Sequence, residues 1–380
     1  MSLRLSNALI VPLFLLFSAS SVAQMPTPAA PIIGAKSYLV IDSKTGHEIA
    51  ALNADQPLAP ASLTKIMTTY VVFSALKQGH ITLEEEVTVS EKAWRTEGSR
   101  MFIEVGKRVK VQDLLLGMIV QSGNDASVAL AEHIAGTESV FAEMMNQHAV
   151  ALGMHASHFR NATGLPAKNH TTTARDLATL SRAIIEEFPN YYKWHAMKEF
   201  TFNSIRQSNR NSLLWRDDSV DGLKTGYTEA AGYCLVTSAI RDDMRIISVV
   251  LGTSSIKARA DGSQALLNYA FRFFETPLLF KAGEKISNAR VWKSEKLYSG
   301  LGVSEDLYIT VRRGSYDHLK SQLNIPAIVM APLAAGQPVA NLSISLDGEE
   351  LLQTPLRALD DNPMGKFWQR TKDTVSLWFE

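Results

Sequence analysis

Hydrophobic residues along the first half of the chain follow a strand pattern and then a helical one. Two short apolar runs, SYLVID and HEIAAL, flank a glycine-containing turn at 43–46 and predict a β-hairpin. Apolar residues then recur at helical spacing over 63–73, and Gly79 ends that helix. Further helical patterns lie in VQDLLLGMIVQ and NDASVALAEHIAG, which are broken at 122–124, and in TARDLATLSRAIIEEFP. These patterns predict a hairpin followed by a cluster of helices.

The pattern becomes strand-like from about residue 219. The runs SVDGLKTG, AGYCLVTSAI and MRIISVVLG are rich in β-branched and small apolar residues, and DGSQALLNYAFRFFE then reads as a helix. Since strands open and close this region, we expect the hairpin to pair with the late strands in one sheet. The sequence therefore predicts an α+β domain over 35–275, preceded by a proline-rich leader at 24–34.

Beyond residue 276 the apolar runs are short and alternating. ARVWKSE, DLYITVRRG, AIVMAPLAAG and ANLSISLDGEELLQTPL are separated by Gly, Pro and Asp-Gly. This spacing predicts a second, all-β domain of sandwich-like form over 276–358.

The last segment, 362–380, has the pattern of an amphipathic helix. One helical face collects mostly apolar and aromatic residues: Met364, Phe367, Trp368, Thr371, Val375, Trp378 and Phe379. Basic residues lie elsewhere around the helix: Lys366, Arg370 and Lys372. This arrangement favours a helix that lies on a membrane surface, and the alternative is a terminal helix packed on its own protein.

The N-terminus has the features of a signal peptide. Arg4 precedes an apolar run at 8–17, and Ser21-Val22-Ala23 then offers small residues to a signal peptidase. We expect residues 1–23 to be removed on export, and the alternative is a retained anchor, for which the run is short. The one cysteine, Cys234, excludes an internal disulfide and lies in an apolar run, which predicts a buried thiol. The formal net charge of zero indicates no nucleic-acid partner.

Candidate chemistry begins at Ser62 and Lys65, which stand one helical turn apart just after Pro60. A serine hydroxyl needs a base within hydrogen-bond reach to act as a nucleophile, and residues three apart on a helix share a face. The spacing alone is weak evidence, since the chain has two more Ser-x-x-Lys matches, Ser74–Lys77 and Ser254–Lys257.

Two further motifs follow Ser62 in order. Ser122-Gly123-Asn124 lies at a break between two predicted helices, and Lys224-Thr225-Gly226 lies on a predicted strand. A second Lys-Thr-Gly, at 44–46, precedes Ser62 and falls in the hairpin turn. The ordered set of three motifs is the signature of class A β-lactamases and penicillin-binding proteins.

With these motifs, the chain resembles the low-molecular-mass penicillin-binding proteins that are D-alanyl-D-alanine carboxypeptidases. The resemblance extends from about residue 35 to the C-terminus and rests on PASLTKIMT, SGNDASVALAE, DGLKTGYTEAAGYCLV and the β-domain with its terminal helix. It implies a penicillin-binding/β-lactamase-like fold in which an antiparallel sheet packs against a helical cluster. It also implies removal of the last D-alanine from peptidoglycan stem peptides, with β-lactams as covalent inhibitors.

The expected mechanism gives each motif a role. Ser62 attacks the carbonyl between the two D-alanines, Lys65 takes its proton, and Ser122 relays a proton to the leaving amine. Substrate-binding groups come from the same motifs and their surroundings: Asn124, Lys224, Thr225, Gly226, Tyr227 and Arg259. The expected oxyanion hole consists of the backbone N–H groups of Ser62 and Tyr227. Some relatives have His where this chain has Tyr227. Arg259 either contacts the substrate carboxylate or is an exposed arginine at a helix start.

We expect no metal and no cofactor, a periplasmic location, and peripheral attachment to the inner membrane. Three alternatives stay open: a class A-like β-lactamase, a DD-endopeptidase, and an inactive penicillin-binding scaffold. A class A β-lactamase would need a deacylating glutamate, and the spacing of Glu186 and Asn190 offers one. That pair lies at the end of an amphipathic helix before Pro189, so we interpret it as a solvated helix end.

Overall fold

The computed structural model describes residues 27–378. The predicted signal peptide at 1–23, the beginning of the leader, and Phe379 of the terminal segment lie outside the described residues.

The first part of the chain contains nine strands and nine helices among the described residues. The strands are β1 (Ser37–Asp42), β2 (Glu48–Leu52), β3 (Glu86–Thr88), β4 (Arg108–Lys110), β5 (Glu199–Phe202), β6 (Ile205–Ser208), β7 (Val220–Thr228), β8 (Gly232–Arg241) and β9 (Met244–Thr253). The helices are α1 (Thr64–Lys77), α2 (Glu91–Arg95), α3 (Val111–Leu116), α4 (Asn124–Ala135), α5 (Glu138–Ala151), α6 (Ala174–Glu187), α7 (Pro189–Tyr192), α8 (Leu213–Arg216) and α9 (Ile256–Phe273).

Five strands form an antiparallel sheet in the order β2-β1-β9-β8-β7. The N-terminal hairpin pairs with the late strands through β1 and β9, which confirms the prediction. Strand β7, which carries Lys224-Thr225-Gly226, forms one edge of the sheet. The free edge of β7 therefore leaves backbone groups available to an extended ligand.

The five-stranded sheet has a hydrophobic core on each face. Residues on opposite faces of β7 belong to different cores. Leu223 joins the core formed with α1, α4 and α6, whereas Val220 joins the core formed with α9. Such two-faced burial explains why the central strands are apolar throughout. Cys234 is completely buried in the first core, as its apolar neighbours predicted.

The C-terminal part is all-β apart from a short 3₁₀ turn at Tyr316–His318 and its last helix. Its strands are β10 (Phe274–Glu275), β11 (Leu278–Phe280), β12 (Ser287–Trp292), β13 (Tyr298–Gly302), β14 (Leu307–Tyr308), β15 (Val311–Arg312), β16 (Leu319–Asn324), β17 (Val329–Met330), β18 (Pro338–Leu346) and β19 (Glu349–Ala358). Six of them form a sheet in the order β16-β18-β19-β13-β12-β17 around a separate apolar core. The observed architecture confirms the predicted fold class of an α+β domain followed by a small all-β domain.

The terminal helix, α10 (Phe367–Ser376), is shorter than the predicted segment at 362–380. Residues before Phe367 are tied to the β-domain instead, since Asn362 exchanges backbone hydrogen bonds with Leu333. Among residues 27–378, no helix combines the length and apolarity needed to cross a bilayer.

Candidate active site

Ser62 lies in a tight 3₁₀ turn, Ala61–Leu63, that leads directly into α1. Ala61 has a left-handed backbone with φ of 48°. The neighbouring segment packs closely against this turn, because a Cβ atom built on Gly164 would lie 1.8 Å from the Ala61 carbonyl oxygen. Only glycine tolerates that approach at a φ of 86°. Ser62 is thus presented by a strained turn rather than by the predicted helix itself.

Lys65 points back along α1 to Ser62. Its Nζ lies 3.2 Å from Ser62 Oγ, 2.7 Å from Asn124 Oδ1 and 2.6 Å from the Thr163 carbonyl oxygen. Burial lowers the pKa of Lys65 to about 7, and the nearby Arg210 adds to this, although Asp125 opposes it. A large share of Lys65 is therefore an uncharged amine at neutral pH, which can accept the Ser62 proton.

Ser122 lies at the break between α3 and α4. Its backbone is left-handed, with φ of 68°, between a π turn at Gly117–Gln121 and the start of α4. The Ser122 hydroxyl is buried and makes no hydrogen bond within the described chain. A buried hydroxyl without a partner is costly, so this atom is free to serve a bound reactant.

Asn124 bridges Lys65 to a loop that the sequence did not single out. Its side-chain oxygen accepts from Lys65, and its amide nitrogen donates to the Glu97 carbonyl oxygen at 2.6 Å. The next residue, Asp125, holds the same loop by accepting backbone N–H bonds from Met101, Phe102 and Ile103. The residues that follow Ser122 therefore organise the pocket wall as well as facing the cleft.

Lys224 enters the site from β7. It is buried, and its Nζ donates to the Thr225 carbonyl oxygen at 3.1 Å. Burial, followed by the charge of Lys65, lowers the pKa of Lys224 well below its usual value. Gly226 allows β7 to lie against the turn at Ala61–Leu63, since a Cβ atom on Gly226 would be 3.3 Å from the Leu63 nitrogen. Strand β7 therefore lies directly beside the turn that carries Ser62.

Arg259 is not an exposed helix-start residue. Its side chain is buried and donates to the carbonyl oxygens of Gly226 and Cys234 at 3.1 and 3.4 Å. It thereby contacts β7 and β8 and also lines the cleft, so the alternative of an exposed arginine at the helix start is wrong.

Six of the nine predicted site residues line one cleft of about 570 Å³, whereas Lys65, Asn124 and Lys224 are buried beside it. Its lining residues are Ser62, Ser99, Ser122, Arg210, Thr225, Gly226, Tyr227, Tyr233, Ile256 and Arg259. Sequence reasoning missed Ser99, Arg210, Tyr233 and Ile256, because none of them lies in a motif. They come together only in three dimensions, since they lie in the loop between α2 and β4, the turn before α8, strand β8 and the start of α9.

Other candidate residues lie in ordinary structural settings. Glu186 is exposed and pairs with Arg182 at 2.8 Å, in agreement with a solvated helix end. Thr173 caps α6 by accepting the Asp176 backbone N–H at 3.0 Å.

Comparisons with known proteins assign the chain to a family. A family model described as D-alanyl-D-alanine carboxypeptidase matches residues 24–255, and one described as the C-terminal domain of penicillin-binding protein 5 matches 274–363. D-alanyl-D-alanine carboxypeptidase DacC of Escherichia coli (strain K12) is 42% identical, over 96% of this chain and 93% of its own.

Solved structures agree with this assignment. Penicillin binding protein 5 from Haemophilus influenzae superimposes with a TM-score of 0.85 at 42% identity, covering 88% of this chain and 99% of that one. Ampicillin-bound penicillin-binding protein D2 from Listeria monocytogenes gives a TM-score of 0.59 at 29% identity, covering 63% of this chain and 98% of that one. From the family model over most of the chain and the near-full-length relative, we conclude that this chain belongs to the D-alanyl-D-alanine carboxypeptidase family.

Proposed function

We propose that Ser62, Lys65 and Ser122 carry out the D-alanyl-D-alanine carboxypeptidase reaction of this family on peptidoglycan stem peptides. The observation that supports this most directly is the buried Lys65 amine, 3.2 Å from Ser62 Oγ and with a pKa of about 7. The Ser62 oxygen attacks the carbonyl between the two D-alanines, and Lys65 takes the hydroxyl proton. β-Lactams acylate the same oxygen.

The leaving D-alanine requires a proton on its nitrogen. The unpartnered Ser122 hydroxyl supplies it, and is reprotonated from Lys65, which carries the proton taken from Ser62. The C–N bond then breaks and leaves an ester on Ser62. Water adds to this ester, and its hydrolysis releases the shortened peptide and restores the serine.

Recognition of the substrate uses the edge strand β7. The Thr225 hydroxyl, with the Lys224 side chain and the Arg259 guanidinium, holds the terminal carboxylate, and Asn124 faces the peptide backbone. Backbone N–H groups of Ser62 and Tyr227 stabilise the oxyanion of the tetrahedral intermediate. Gly226 leaves room for the strand to approach Ser62.

D-Alanine release from a pentapeptide ending in D-Ala-D-Ala tests this assignment. The chain should release D-alanine and be labelled by a fluorescent penicillin, and Ser62→Ala should lose both properties. Ser74→Ala is the matched control, because Ser74 heads another Ser-x-x-Lys match but bonds Gln78 on the helix surface. Retained labelling in Ser62→Ala would refute the nucleophile. Labelling without D-alanine release would favour the scaffold or endopeptidase alternatives.

We also propose that α10 attaches the protein to the periplasmic surface of the inner membrane after removal of residues 1–23. Asp373 faces the β-domain, where its carboxylate accepts the Lys293 backbone N–H at 2.6 Å. Trp368, five residues earlier, points about 140° away around the helix. Phe367, Trp368 and Trp378 are 70–80% exposed, which favours a lipid surface over packing on the protein. We also propose that the chain divides into the two domains predicted from the sequence, 35–275 and 276–358.

Membrane fractionation tests the attachment. A chain ending at Asp361, and a full chain with Trp368→Glu, should leave the membrane fraction while keeping D-alanine release. Tyr316→Glu, which changes an exposed aromatic residue of the β-domain, should stay in the membrane fraction. A truncated chain that still sediments with membranes would refute the role of α10.

A further inference from the structure

A pair of stacked tyrosines stands at the end of the Lys-Thr-Gly motif. Tyr227 on β7 and Tyr233 on β8 are direct cross-strand partners. Their ring centroids lie 4.3 Å apart with an interplanar angle of 30°. Tyr227 remains 50% exposed and lines the cleft together with Tyr233.

Strand geometry places this stack beside Thr225. Side chains two apart on a strand share a face, so Thr225 and Tyr227 point the same way, about 7 Å apart along β7. Cross-strand partners also share a face, which puts Tyr233 on that side. The rings therefore stand next to the hydroxyl that, under the proposed function, holds the terminal carboxylate.

Two residues of α9 complete the enclosure. Ile256, in the first turn, is 57% exposed and lines the cleft with the tyrosines. The Arg259 guanidinium lies 5.8 Å from the Tyr233 ring centre while it donates to the Gly226 carbonyl oxygen. We call these four residues, Tyr227, Tyr233, Ile256 and Arg259, the tyrosine wall.

We propose that the tyrosine wall restricts the residue after the scissile bond to one with a small side chain, such as D-alanine. This inference rests on the proposed function, because that function places the terminal carboxylate at Thr225. A larger side chain there would have to displace stacked rings that are backed by a buried guanidinium. Stem peptides ending in a bulky D-residue are therefore poor substrates, although they keep the carboxylate that Thr225 and Arg259 recognise.

Two peptides with the same stem, one ending in D-Ala-D-Ala and the other in D-Ala-D-Phe, test the wall. The measured quantity is the ratio of kcat/KM for D-phenylalanine release to kcat/KM for D-alanine release. Tyr227→Ala should raise this ratio at least about tenfold, the scale of discrimination that a shaped pocket provides. Tyr227→Phe, which retains the ring and removes only the hydroxyl, should keep the ratio within about twofold of the unmodified protein.

Tyr233→Ala serves as a second variant, since it removes the supporting ring and leaves the residue after Lys-Thr-Gly intact. A higher ratio in both alanine variants supports the wall. An unchanged ratio in both, or a Tyr227→Phe ratio that rises as far as that of Tyr227→Ala, overturns it. If the unmodified protein releases neither amino acid, both the proposed function and the restriction by the tyrosine wall are refuted. Release of D-alanine with an unchanged ratio overturns the wall alone.

Discussion

At the scale of single residues, basic side chains surround Lys65, which the proposed mechanism requires to be uncharged. Lys65 and Lys224 are both buried, and the charges of Arg210 and Lys65 each lower the pKa of Lys224. Arg210 has the same effect on Lys65, where burial is the larger cause. Arg210, which lines the cleft, therefore adds to the effect of burial and favours the uncharged form of Lys65.

Acylation of Ser62 should therefore depend on pH through Lys65. With a pKa of about 7, the free-base fraction grows as pH rises, so the rate constant for acylation by penicillin should increase about tenfold from pH 6 to pH 8. Stopped-flow fluorescence with a labelled penicillin gives this profile directly. A flat profile over this range would contradict the role of Lys65 as the base.

The same measurement separates the contribution of Arg210. Arg210→Gln removes a cation that lowers the pKa of Lys65, so the inflection should move to higher pH. Arg182→Gln is the matched control, since Arg182 bonds Glu186 on the surface of α6 and should leave the inflection in place. An inflection that stays fixed in Arg210→Gln would show that its charge does not act on Lys65.

At the scale of elements, the position of Ser62 depends on how tightly one loop packs against the turn before α1. Gly164 lies against the carbonyl of Ala61, and Thr163 next to it accepts a hydrogen bond from Lys65. One short stretch of loop thus positions both the turn that carries Ser62 and the amine of Lys65. Small displacements of this loop would separate Ser62 from Lys65, and catalysis depends steeply on such distances.

Gly164→Ala should accordingly abolish most of the acylation by penicillin. The new Cβ would lie 1.8 Å from the Ala61 carbonyl oxygen, so the loop or the nucleophile turn must move. We expect at least a hundredfold loss in the acylation rate constant, of the order that a misplacement of about 1 Å produces. Labelling kinetics with a fluorescent penicillin measure it.

Gly153→Ala isolates the steric effect. Gly153 also has a left-handed φ, 77° against 86° for Gly164, but a Cβ there would meet open space. It should cost about 1 kcal/mol in stability from the backbone alone and leave acylation unchanged. Equal loss of acylation in both variants would mean that the close approach at Ala61 is not responsible.

Local patterns predicted the elements that carry the motifs, whereas the contacts between motifs could not be read from sequence. Apolar residues in the sequence located α1, α4 and β7, although α1 and β7 are buried along most of their length rather than on one face. The partners of Lys65 lie 59 and 98 residues away, at Asn124 and Thr163. No local pattern encodes such pairs. The 3₁₀ turn at Ser62 was also missed, since it arises from packing against Gly164.

At the scale of the whole molecule, the second Lys-Thr-Gly sequence joins the α+β part to the β-domain. Thr45, in the hairpin turn, bonds Thr310 of the β-domain with 2.6 Å between their hydroxyl oxygens. Thr276 bonds the same Thr310 hydroxyl and the buried Asp42 carboxylate. Lys44 lies over the Tyr308 ring at 4.1 Å. The motif that does not reach the cleft therefore serves the contact between the two parts.

Thr310→Val should weaken this contact and leave the cleft intact. The substitution keeps the shape of the side chain but removes the hydroxyl that links Thr45 and Thr276, which should cost about 1–3 kcal/mol. Calorimetry should show a lower unfolding temperature, and limited proteolysis should cut faster near residue 276. D-Alanine release at 25 °C should stay unchanged, because Thr45, Thr276 and Thr310 do not line the cleft.

Thr201→Val, on an exposed position of β5, controls for the loss of a hydroxyl as such. If Thr310→Val lowers the unfolding temperature no more than Thr201→Val does, the hydroxyl cluster does not hold the two parts together. A loss of D-alanine release without a change in unfolding temperature would instead mean that the β-domain acts on the cleft through this cluster. The two measurements together therefore distinguish a structural joint from a coupling between the β-domain and catalysis.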